Sequence, residues 1–441
     1  MLLDCGMFQG KGLETDAANR DLGFDPATLD HIILTHGHID HSGLIPYMYK
    51  NGFRGSVICT HATRAICSVM LPDSGFIQEH DTVWFNKKRK RQGLSPVEPL
   101  YSKAEADACM KLFISVPYDL KFRIDSDTKV KYTSSGHMIG SAVANLEITE
   151  NGKTTRIAYT GDIGRTRNRI LRPPEPFPQC DYLITESTYG NRLHPVYEEA
   201  DSELLRIVTE TCVKKGGKLI IPAFAIGRTQ EVVFALNNYF NEGKLPRINI
   251  YVDSPLAVNA TDIFRMHTDC LNEEVREVLE SDPDPFGFSS LQYIKSVEKS
   301  KKLNFMEKPC VIISASGMME AGRVKHHLAN SLSNPRNTVL AVGYCSPETL
   351  GARILSGEKE VSIFGEKHIV RADVEQIEAF SGHGDYNEMI GFLSCQDKSQ
   401  IRKVFLVHGE YEAQQYYKTQ LENAGFRNLI IPGPGNEFEL N

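Results

Sequence analysis

Four side chains that can bind metal ions lie within one short stretch, at His36, His38, Asp40 and His41. They follow Ile32-Ile33-Leu34, an apolar run that predicts a buried strand. Imidazoles two residues apart on an extended backbone point the same way, and Asp40 and His41 follow after the chain turns. Because Zn²⁺ is bound by imidazole nitrogen and carboxylate oxygen, this loop is expected to supply ligands to two adjacent metal ions.

The loop carries the pattern T-H-x-H-x-D-H from Thr35 to His41, and a helix is expected to begin at Ser42. This pattern resembles the signature of the metallo-β-lactamase superfamily. A lone histidine is more often an ordinary core or surface residue, but this spacing after an apolar strand favours a metal site. Lactamases, glyoxalases, lactonases and nucleases share the signature, so the reaction must be inferred from other residues.

Further polar residues follow the C-terminal ends of apolar strands, where ligand sites gather in sheet proteins. Asp162, Glu186 and His408 have this placement, and His137 lies among small residues. Asp4 is expected to orient the loop through hydrogen bonds instead of binding metal. One ion is expected to be bound by the imidazole nitrogens of His36, His38 and His137. The second is expected to be bound by Asp40, His41 and His408, and the carboxylate of Asp162 is expected to bridge the two ions.

Several of these residues also have ordinary structural interpretations. Asp162 can be a turn residue in Thr-Gly-Asp, Glu186 a helix cap and His383 a loop histidine. The five consecutive basic residues Lys87–Arg91 can contact phosphates, but a solvated helix face is the favoured interpretation.

The composition is that of an ordinary globular protein. Of 441 residues, 41% are hydrophobic and 24% charged, and no apolar run reaches membrane-spanning length. The ten cysteines include no C-x-x-C pair and no export signal opens the chain, which predicts a reduced, cytoplasmic protein. A net charge of −7 argues against coating nucleic acid by charge alone, but it is compatible with a nuclease.

The pattern of strands and helices changes along the chain. Alternating segments joined at Asn151-Gly152 predict an antiparallel hairpin. From about residue 198, helices alternate with apolar strands, which predicts parallel βαβ units and a second α/β domain. Histidine and acidic residues return after residue 363, so residues 1–190 and 363–441 are expected to form one domain, with 191–362 inserted.

Seven stretches, in order over nearly the whole chain, resemble the β-CASP nucleases of the metallo-β-lactamase superfamily. That family includes ribonuclease J, the endonuclease subunit of pre-mRNA 3′-end processing, and compact bacterial and archaeal relatives. The resemblance implies an α/β protein with an αββα sandwich, an inserted parallel α/β β-CASP domain, and two Zn²⁺ ions as cofactors. The matching stretches are Thr35–Gly43, Ser135–Gly140, Thr160–Arg165, Glu186–Gly190, Ser314–Gly317, Ser381–Asp385 and Val407–Glu410.

The resemblance also implies roles for individual residues. Glu186 is the acidic residue that opens the inserted domain, and His383 beside it is the general acid on the leaving oxygen. Asp40 is expected to join them in catalysis. His408 occupies a position that is histidine in RNA-processing members and valine in DNA-processing ones. Three further residues resemble segments that line the phosphate path: Arg228, Ser381 and Gly382.

The resemblance extends to the ends of the chain. Relatives have strands before the segment that matches Leu2–Gly6, so the N-terminal strands of the family are expected to be missing, which would expose a sheet edge. Only a short segment follows His408, so the C-terminal domains that some relatives carry are expected to be missing as well.

The expected function is hydrolysis of RNA by a hydroxide that bridges two zinc ions, with His383 protonating the departing ribose oxygen. The expected partner is single-stranded RNA. No association with a membrane is expected, and the sequence is compatible with a homodimer. One alternative is a hydrolase of a small ester, thioester or lactam, which would need neither the inserted domain nor the Glu186/His383 pair. Another is an inactive RNA-binding scaffold, which the complete set of ligands disfavours.

Overall fold

The computed structural model describes residues 1–8, 13–194, 200–343, 345–377 and 382–440, and the chain forms two compact units. The first unit contains residues 1–193 and the segment from His383 onward, and the second contains residues 194–382. The second unit is therefore an insertion into the first.

The strands of the described residues alternate with helices over most of the chain. In chain order the strands are β1 (Leu2–Leu3), β2 (His31–Ile33), β3 (Ser56–Thr60), β4 (Phe113–Val116), β5 (Lys121–Arg123), β6 (Thr128–Ser134), β7 (Ala142–Glu150), β8 (Lys153–Tyr159), β9 (Tyr182–Thr185), β10 (Lys218–Pro222), β11 (Asn249–Val252), β12 (Leu291–Tyr293), β13 (Cys310–Ser314), β14 (Thr338–Val342), β15 (Glu360–Ile363), β16 (Glu366–Ile369), β17 (Asp373–Ile377), β18 (Lys403–Leu406) and β19 (Leu429–Ile430). The α-helices are α1 (Leu13–Arg20), α2 (Ile39–Ser42), α3 (Ile45–Lys50), α4 (His61–Arg91), α5 (Lys103–Cys109), α6 (Ala200–Val208), α7 (Arg228–Asn241), α8 (Pro255–Met266), α9 (Glu273–Ser281), α10 (Val297–Phe305), α11 (Val324–Ser331), α12 (Leu350–Leu355), α13 (Tyr386–Leu393) and α14 (Tyr411–Asn423).

The described residues of the first unit form two sheets. Strands β1 to β4 form a parallel sheet in that order, and a seven-stranded sheet has the order β19-β18-β9-β8-β7-β6-β5. The predicted hairpin at Asn151-Gly152 joins β7 to β8, with Glu150 opposite Lys153. Asn151 and Gly152 have positive φ angles of +51° and +77°, as the two central residues of a type I′ hairpin turn require.

Apolar side chains pack the two sheets of the first unit against each other and against helices. Ile33 and Ile58 of the parallel sheet pack against Tyr132 of the seven-stranded sheet. On the outer faces, Leu71 of α4 packs on the parallel sheet, and Met389 of α13 packs on the seven-stranded sheet. These layers form the predicted αββα sandwich.

The second unit is built on a parallel sheet in the order β12-β11-β13-β10-β14-β17. Its central strands are apolar on both faces, as in the consecutive residues Ile220 and Ile221 of β10, because helices cover both sides of such a sheet. The sequence placed the end of this domain at residue 362. The unit instead continues to residue 382, because β17 pairs with β14 and so belongs to the same sheet.

Helix α4 runs from His61 to Arg91 with Pro72 inside it, and α5 is a separate helix. The basic run Lys87–Arg91 forms the last turns of α4. No helix in the described part of the chain is both long enough and apolar enough to cross a lipid bilayer.

Candidate metal centre

Backbone hydrogen bonds fix the histidine-rich loop at the end of the parallel sheet. The Leu34 amide donates to the Ile58 carbonyl at 2.9 Å, and the Cys5 amide donates to the His41 carbonyl at 2.7 Å. The helix after the loop begins at Ile39, with His38 as its N-cap, and not at Ser42 as predicted. Asp40 and His41 consequently lie on a helical turn, which separates their side chains from those of the preceding histidines.

Four potential ligand atoms converge beside this loop. Nδ1 of His38 lies 3.2 Å from Nε2 of His36 and 3.1 Å from Nε2 of His137. Oδ2 of Asp162 lies 3.5 and 3.4 Å from the same Nε2 atoms of His36 and His137. Ligands at about 2.0–2.1 Å from a tetrahedral zinc ion are about 3.3–3.4 Å apart. The spacing of the four atoms therefore suits a zinc ion.

The other oxygen of Asp162 faces a second cluster of potential ligands. Oδ1 lies 3.2 Å from Nε2 of His41 and 3.5 Å from Nδ1 of His408. Oδ2 of Asp40 lies 3.6 Å from Nε2 of His408. Asp40, His41 and His408 offer ligand atoms that all lie within 4.8 Å of one another. One buried carboxylate thus lies between two donor clusters and directs one oxygen to each.

Two buried atoms of these clusters lack a hydrogen-bond partner within the described residues: Nε2 of His41 and Oδ1 of Asp162. An unsatisfied buried polar atom costs about 1–3 kcal/mol, so native structures rarely retain one without a reason. A cation bound by both atoms would satisfy them, and imidazole nitrogens with carboxylate oxygens are ligands that zinc prefers. The residues present therefore fit divalent metal ions.

The surroundings keep the first cluster in the protonation state that metal binding requires. Burial, and after it the charge of the adjacent His36, lower the pKa of His38 to about 3. Burial and neighbouring histidines also lower the pKa values of His36 and His137. Burial disfavours the charged form of Asp162, but the imidazoles around it, His41 first, hold its pKa well below the usual value. Neutral imidazoles and an ionised carboxylate are the ligand forms.

Asp4 connects the clusters to the sheet through its carboxylate. It accepts hydrogen bonds from the Thr35 amide and hydroxyl, both at 2.7 Å, and from the Tyr159 hydroxyl at 3.0 Å. It also lies 2.6 Å from Nδ1 of His41, and the Thr35 hydroxyl lies 3.1 Å from Nδ1 of His36. These contacts occupy Nδ1 of both histidines and direct their Nε2 atoms toward the clusters.

Replacing Asp4 by asparagine is expected to weaken zinc binding by about 10–100-fold, because the amide loses the charge that orients His41. Competition with a chelator of known zinc affinity measures the effect. Asp125→Asn is the matched control, because Asp125 also accepts backbone hydrogen bonds but lies in an exposed turn. Equal zinc affinity in Asp4→Asn and the parent protein would contradict the orienting role.

Three residues of the site follow strands that are neighbours in one sheet. Asp162, Glu186 and His408 come after β8, β9 and β18, which are adjacent and parallel, so their side chains meet at one edge. Gly161 has a φ of +53°, and a Cβ on it would lie 2.5 Å from the Thr35 hydroxyl. The absence of a side chain at Gly161 therefore allows Asp162 to approach the histidine loop.

Glu186 and His383 form a pair beside the clusters. Oε1 of the buried Glu186 accepts a hydrogen bond from the Ile163 amide at 2.5 Å and lies 3.3 Å from Nδ1 of His383. The His383 ring is 4.4 Å from that of His137, measured between centroids. Burial disfavours the charged ring, but Glu186 raises the pKa of His383. The His383 side chain is still 21% exposed, so a substrate can reach it.

The structure brings nine predicted site residues of the first unit together: His36, His38, Asp40, His41, His137, Asp162, Glu186, His383 and His408. The three residues predicted to contact phosphates are not among these nine. Arg228 belongs to the second unit, where it is buried and its guanidinium pairs with Glu231. Gly382 is half-buried directly before His383, and Ser381 lies outside the described residues. The phosphate contacts of all three stay predictions.

Two contributors to the site were missed by the sequence patterns. Tyr159 donates to Asp4 from the last position of β8, and the Thr188 hydroxyl lies 3.0 Å from Nδ1 of His408. Tyr159 comes three residues before Asp162, and Thr188 comes two residues after Glu186. Proximity to predicted ligands at strand ends was therefore the signal that could have identified them.

Three family models match the chain. The model of the metallo-beta-lactamase superfamily matches residues 1–67, that of the Beta-Casp domain 229–354, and that of a Zn-dependent metallo-hydrolase RNA specificity domain 367–432. Their order along the chain agrees with a Beta-Casp domain inserted into a metallo-β-lactamase domain. The predicted fold class is confirmed.

Curated relatives cover most of the chain. A ribonuclease of Thermus thermophilus is 34% identical over 93% of this chain and 88% of its own length. An RNase J-like protein of Methanocaldococcus jannaschii is 34% identical over 98% of this chain and 91% of its own length. The transcription termination factor FttA of the same archaeon is 33% identical over 88% of this chain but only 59% of its own length.

Proposed function

Because the chain belongs to the β-CASP family of the metallo-β-lactamase superfamily, we propose that it is a zinc-dependent ribonuclease that hydrolyses phosphodiester bonds in single-stranded RNA. The observation that carries this proposal is the position of Asp162, which has one carboxylate oxygen in each of two ligand clusters. The description of the model that matches residues 367–432, and the names of the two relatives that the chain spans almost fully, support RNA as the substrate.

The chain's own residues have defined tasks in this proposal. Two bound divalent ions would supply a water molecule of lowered pKa and neutralise the charge that develops on the phosphate. The residues that would hold them are His36, His38 and His137 for one ion, Asp40, His41 and His408 for the other, and Asp162 for both.

His383 would donate a proton to the departing ribose oxygen. Its Nδ1 faces Oε1 of Glu186 at 3.3 Å, so Nε2 is the atom from which the proton would be transferred. Glu186 stabilises the protonated ring and fixes its orientation, because the Ile163 amide holds the same carboxylate oxygen. Glu186 is therefore a positioning residue and His383 the proposed general acid.

The alternatives have less support. A hydrolase of a small ester, thioester or lactam would need neither the inserted second unit nor the Glu186/His383 pair. An inactive RNA-binding scaffold would not need seven convergent potential ligands. The name of FttA describes transcription termination, but this chain spans only 59% of that relative, so the proposal follows the ribonucleases.

RNA labelled separately at each end tests the proposal. The zinc-loaded protein is expected to cut it, and the lengths of the labelled products distinguish internal from terminal cleavage. A DNA strand of the same sequence is the substrate control, and a lactam and a thioester test the small-substrate alternative. Hydrolysis of those small substrates without RNA cleavage would overturn the proposal.

Removal of metal is expected to abolish RNA cleavage, because neither cluster retains a cation after treatment with a chelator. Zinc added back should restore the activity, and elemental analysis should find two zinc ions per chain. Far-ultraviolet circular dichroism controls for loss of the fold. A folded, metal-free protein that binds RNA without cutting it, even with zinc present, would favour the scaffold.

A further inference from the structure

The last turns of α4 present a surface that the proposed mechanism does not use. Exposed apolar and aromatic side chains lie at helical spacing along one face, and basic side chains continue the same face toward Arg91. The Trp84 side chain is 69% exposed and that of Ile77 is 45% exposed. We call this surface the α4 patch, and it consists of Ile77, His80, Trp84, Lys87, Lys88 and Arg91.

The cations of the α4 patch are not used within the protein. In the described residues, no ion pair or hydrogen bond involves the side chain of Lys87, Lys88 or Arg91. Asp81 is the nearest acidic residue in the sequence, and it lies about 9 Å along the helix axis before Lys87. The chain as a whole carries a net charge of −7, so the patch is a local positive surface on an acidic protein.

The neighbouring Arg89, by contrast, makes contacts within the protein. Its Nε donates to the Ser95 carbonyl at 2.6 Å, and its guanidinium lies 5.7 Å from the centre of the Phe85 ring. Arg89 therefore fastens the segment after α4 back onto the helix. Trp84 and the three cations of the patch point to a ligand outside the chain.

We propose that the α4 patch binds single-stranded RNA, with a base stacked on Trp84 and phosphates paired with Lys87, Lys88 and Arg91. The RNA identity of this ligand rests on the proposed function. Aromatic stacking beside a run of cations is how proteins bind single strands without sequence preference. Trp84 to Arg91 spans about 10 Å along the helix, so the aromatic ring and the three cations lie close enough together to contact one strand.

The arrangement of charge favours RNA over a membrane surface. A helix that lies on a membrane buries an apolar face and carries its cations on the opposite, polar face. In the α4 patch, Trp84 is followed by Lys87, Lys88 and Arg91 at positions i+3, i+4 and i+7, which share its face. A ligand must therefore offer a flat apolar group and negative charges side by side, as a nucleotide does.

Trp84 is the single tryptophan of the chain, so its fluorescence reports on this surface alone. Titration with a 20-nucleotide single-stranded RNA, in an Asp162→Ala background to prevent cleavage, is expected to quench this fluorescence. The K87Q/K88Q/R91Q variant should bind roughly tenfold more weakly. Its slope of log affinity against log salt should fall by about 2, because three phosphate contacts at about 0.7 each are lost.

A matched control removes three exposed cations from α10 in the second unit, as K299Q/K301Q/K302Q. Its affinity for the RNA is expected to change less than twofold. With Asp162 intact, the K87Q/K88Q/R91Q variant should raise KM for long RNA roughly tenfold and leave kcat unchanged, because the patch contains none of the proposed metal ligands. Circular dichroism verifies that each variant is folded.

The outcomes separate this inference from the proposed function. RNA cleavage with unchanged Trp84 fluorescence and equal affinities in all variants would overturn the role of the patch and leave the ribonuclease proposal standing. Absence of cleavage by the parent protein would overturn the ribonuclease proposal instead. A fluorescence response to phosphatidylglycerol vesicles but not to RNA would also overturn the patch proposal, as would self-association that Trp84→Ala abolishes.

Discussion

Replacing Asp162 by alanine is expected to lower the rate of RNA cleavage at least about a thousandfold. The carboxylate is 2% exposed, and its two oxygens face different clusters at 3.2–3.5 Å from four imidazoles. Alanine removes a potential ligand from both clusters at once. It also removes the negative charge that would offset the positive charge of two closely spaced ions, so the remaining residues should bind fewer than two ions.

Two measurements separate lost chemistry from lost folding. Zinc content is expected to fall from two ions per chain to one or none, and the far-ultraviolet circular dichroism should stay that of the parent protein. Asp181→Ala is the matched control, since Asp181 is a mostly buried acid at the other end of β9 that accepts hydrogen bonds from Arg156. Its cleavage rate should stay near normal. Undiminished cleavage by Asp162→Ala would end the two-metal proposal.

Replacing His383 by alanine is expected to lower the cleavage rate about 100–10,000-fold, the usual contribution of a general acid. The zinc content should stay at two ions, because His383 is paired with Glu186 and is not among the proposed ligands. This combination of full metal content and low rate distinguishes His383 from the ligand histidines. His326→Ala in the second unit is the control for histidine removal.

The leaving group gives a second readout for His383. A phosphodiester with a nitrophenyl leaving group departs without protonation, so His383→Ala should lose much less activity on it than on RNA. Glu186→Gln should follow the same trend with a smaller effect, because Glu186 orients His383 and stabilises its charge. Equal losses on both substrates would assign His383 a structural role in place of proton transfer.

Much of the ligand loop followed from local sequence. The spacing of His36, His38, Asp40 and His41 after an apolar run predicted a metal-binding loop, and the loop does follow β2 at the end of a buried sheet. The start of the helix after the loop was predicted wrongly, because α2 begins at Ile39 and not at Ser42. Helix starts depend on capping contacts, and here His38 caps α2 without a side-chain hydrogen bond that a pattern could have signalled.

The end of the second unit could not be located from sequence. Strand β17 is short, and its pattern Asp-Val-Glu-Gln-Ile has no strong apolar period. It is a strand because β14 pairs with all five of its residues. Strand pairing between distant segments leaves little trace in local composition, so the predicted boundary fell before β17.

The sequence by itself determined the types of chemical group and their placement after apolar strands. It predicted imidazoles and carboxylates after strands that end at Leu34, Thr160, Thr185 and Val407, each within one residue of the strand end in the structure. Only the tertiary structure decided which atoms meet. The order β18-β9-β8 places His408, Glu186 and Asp162 side by side, and the approach at Gly161 brings Asp162 between two histidine clusters. The physical reason is that residue type is local, whereas distances between ligands depend on strand order and on close backbone contacts across the fold.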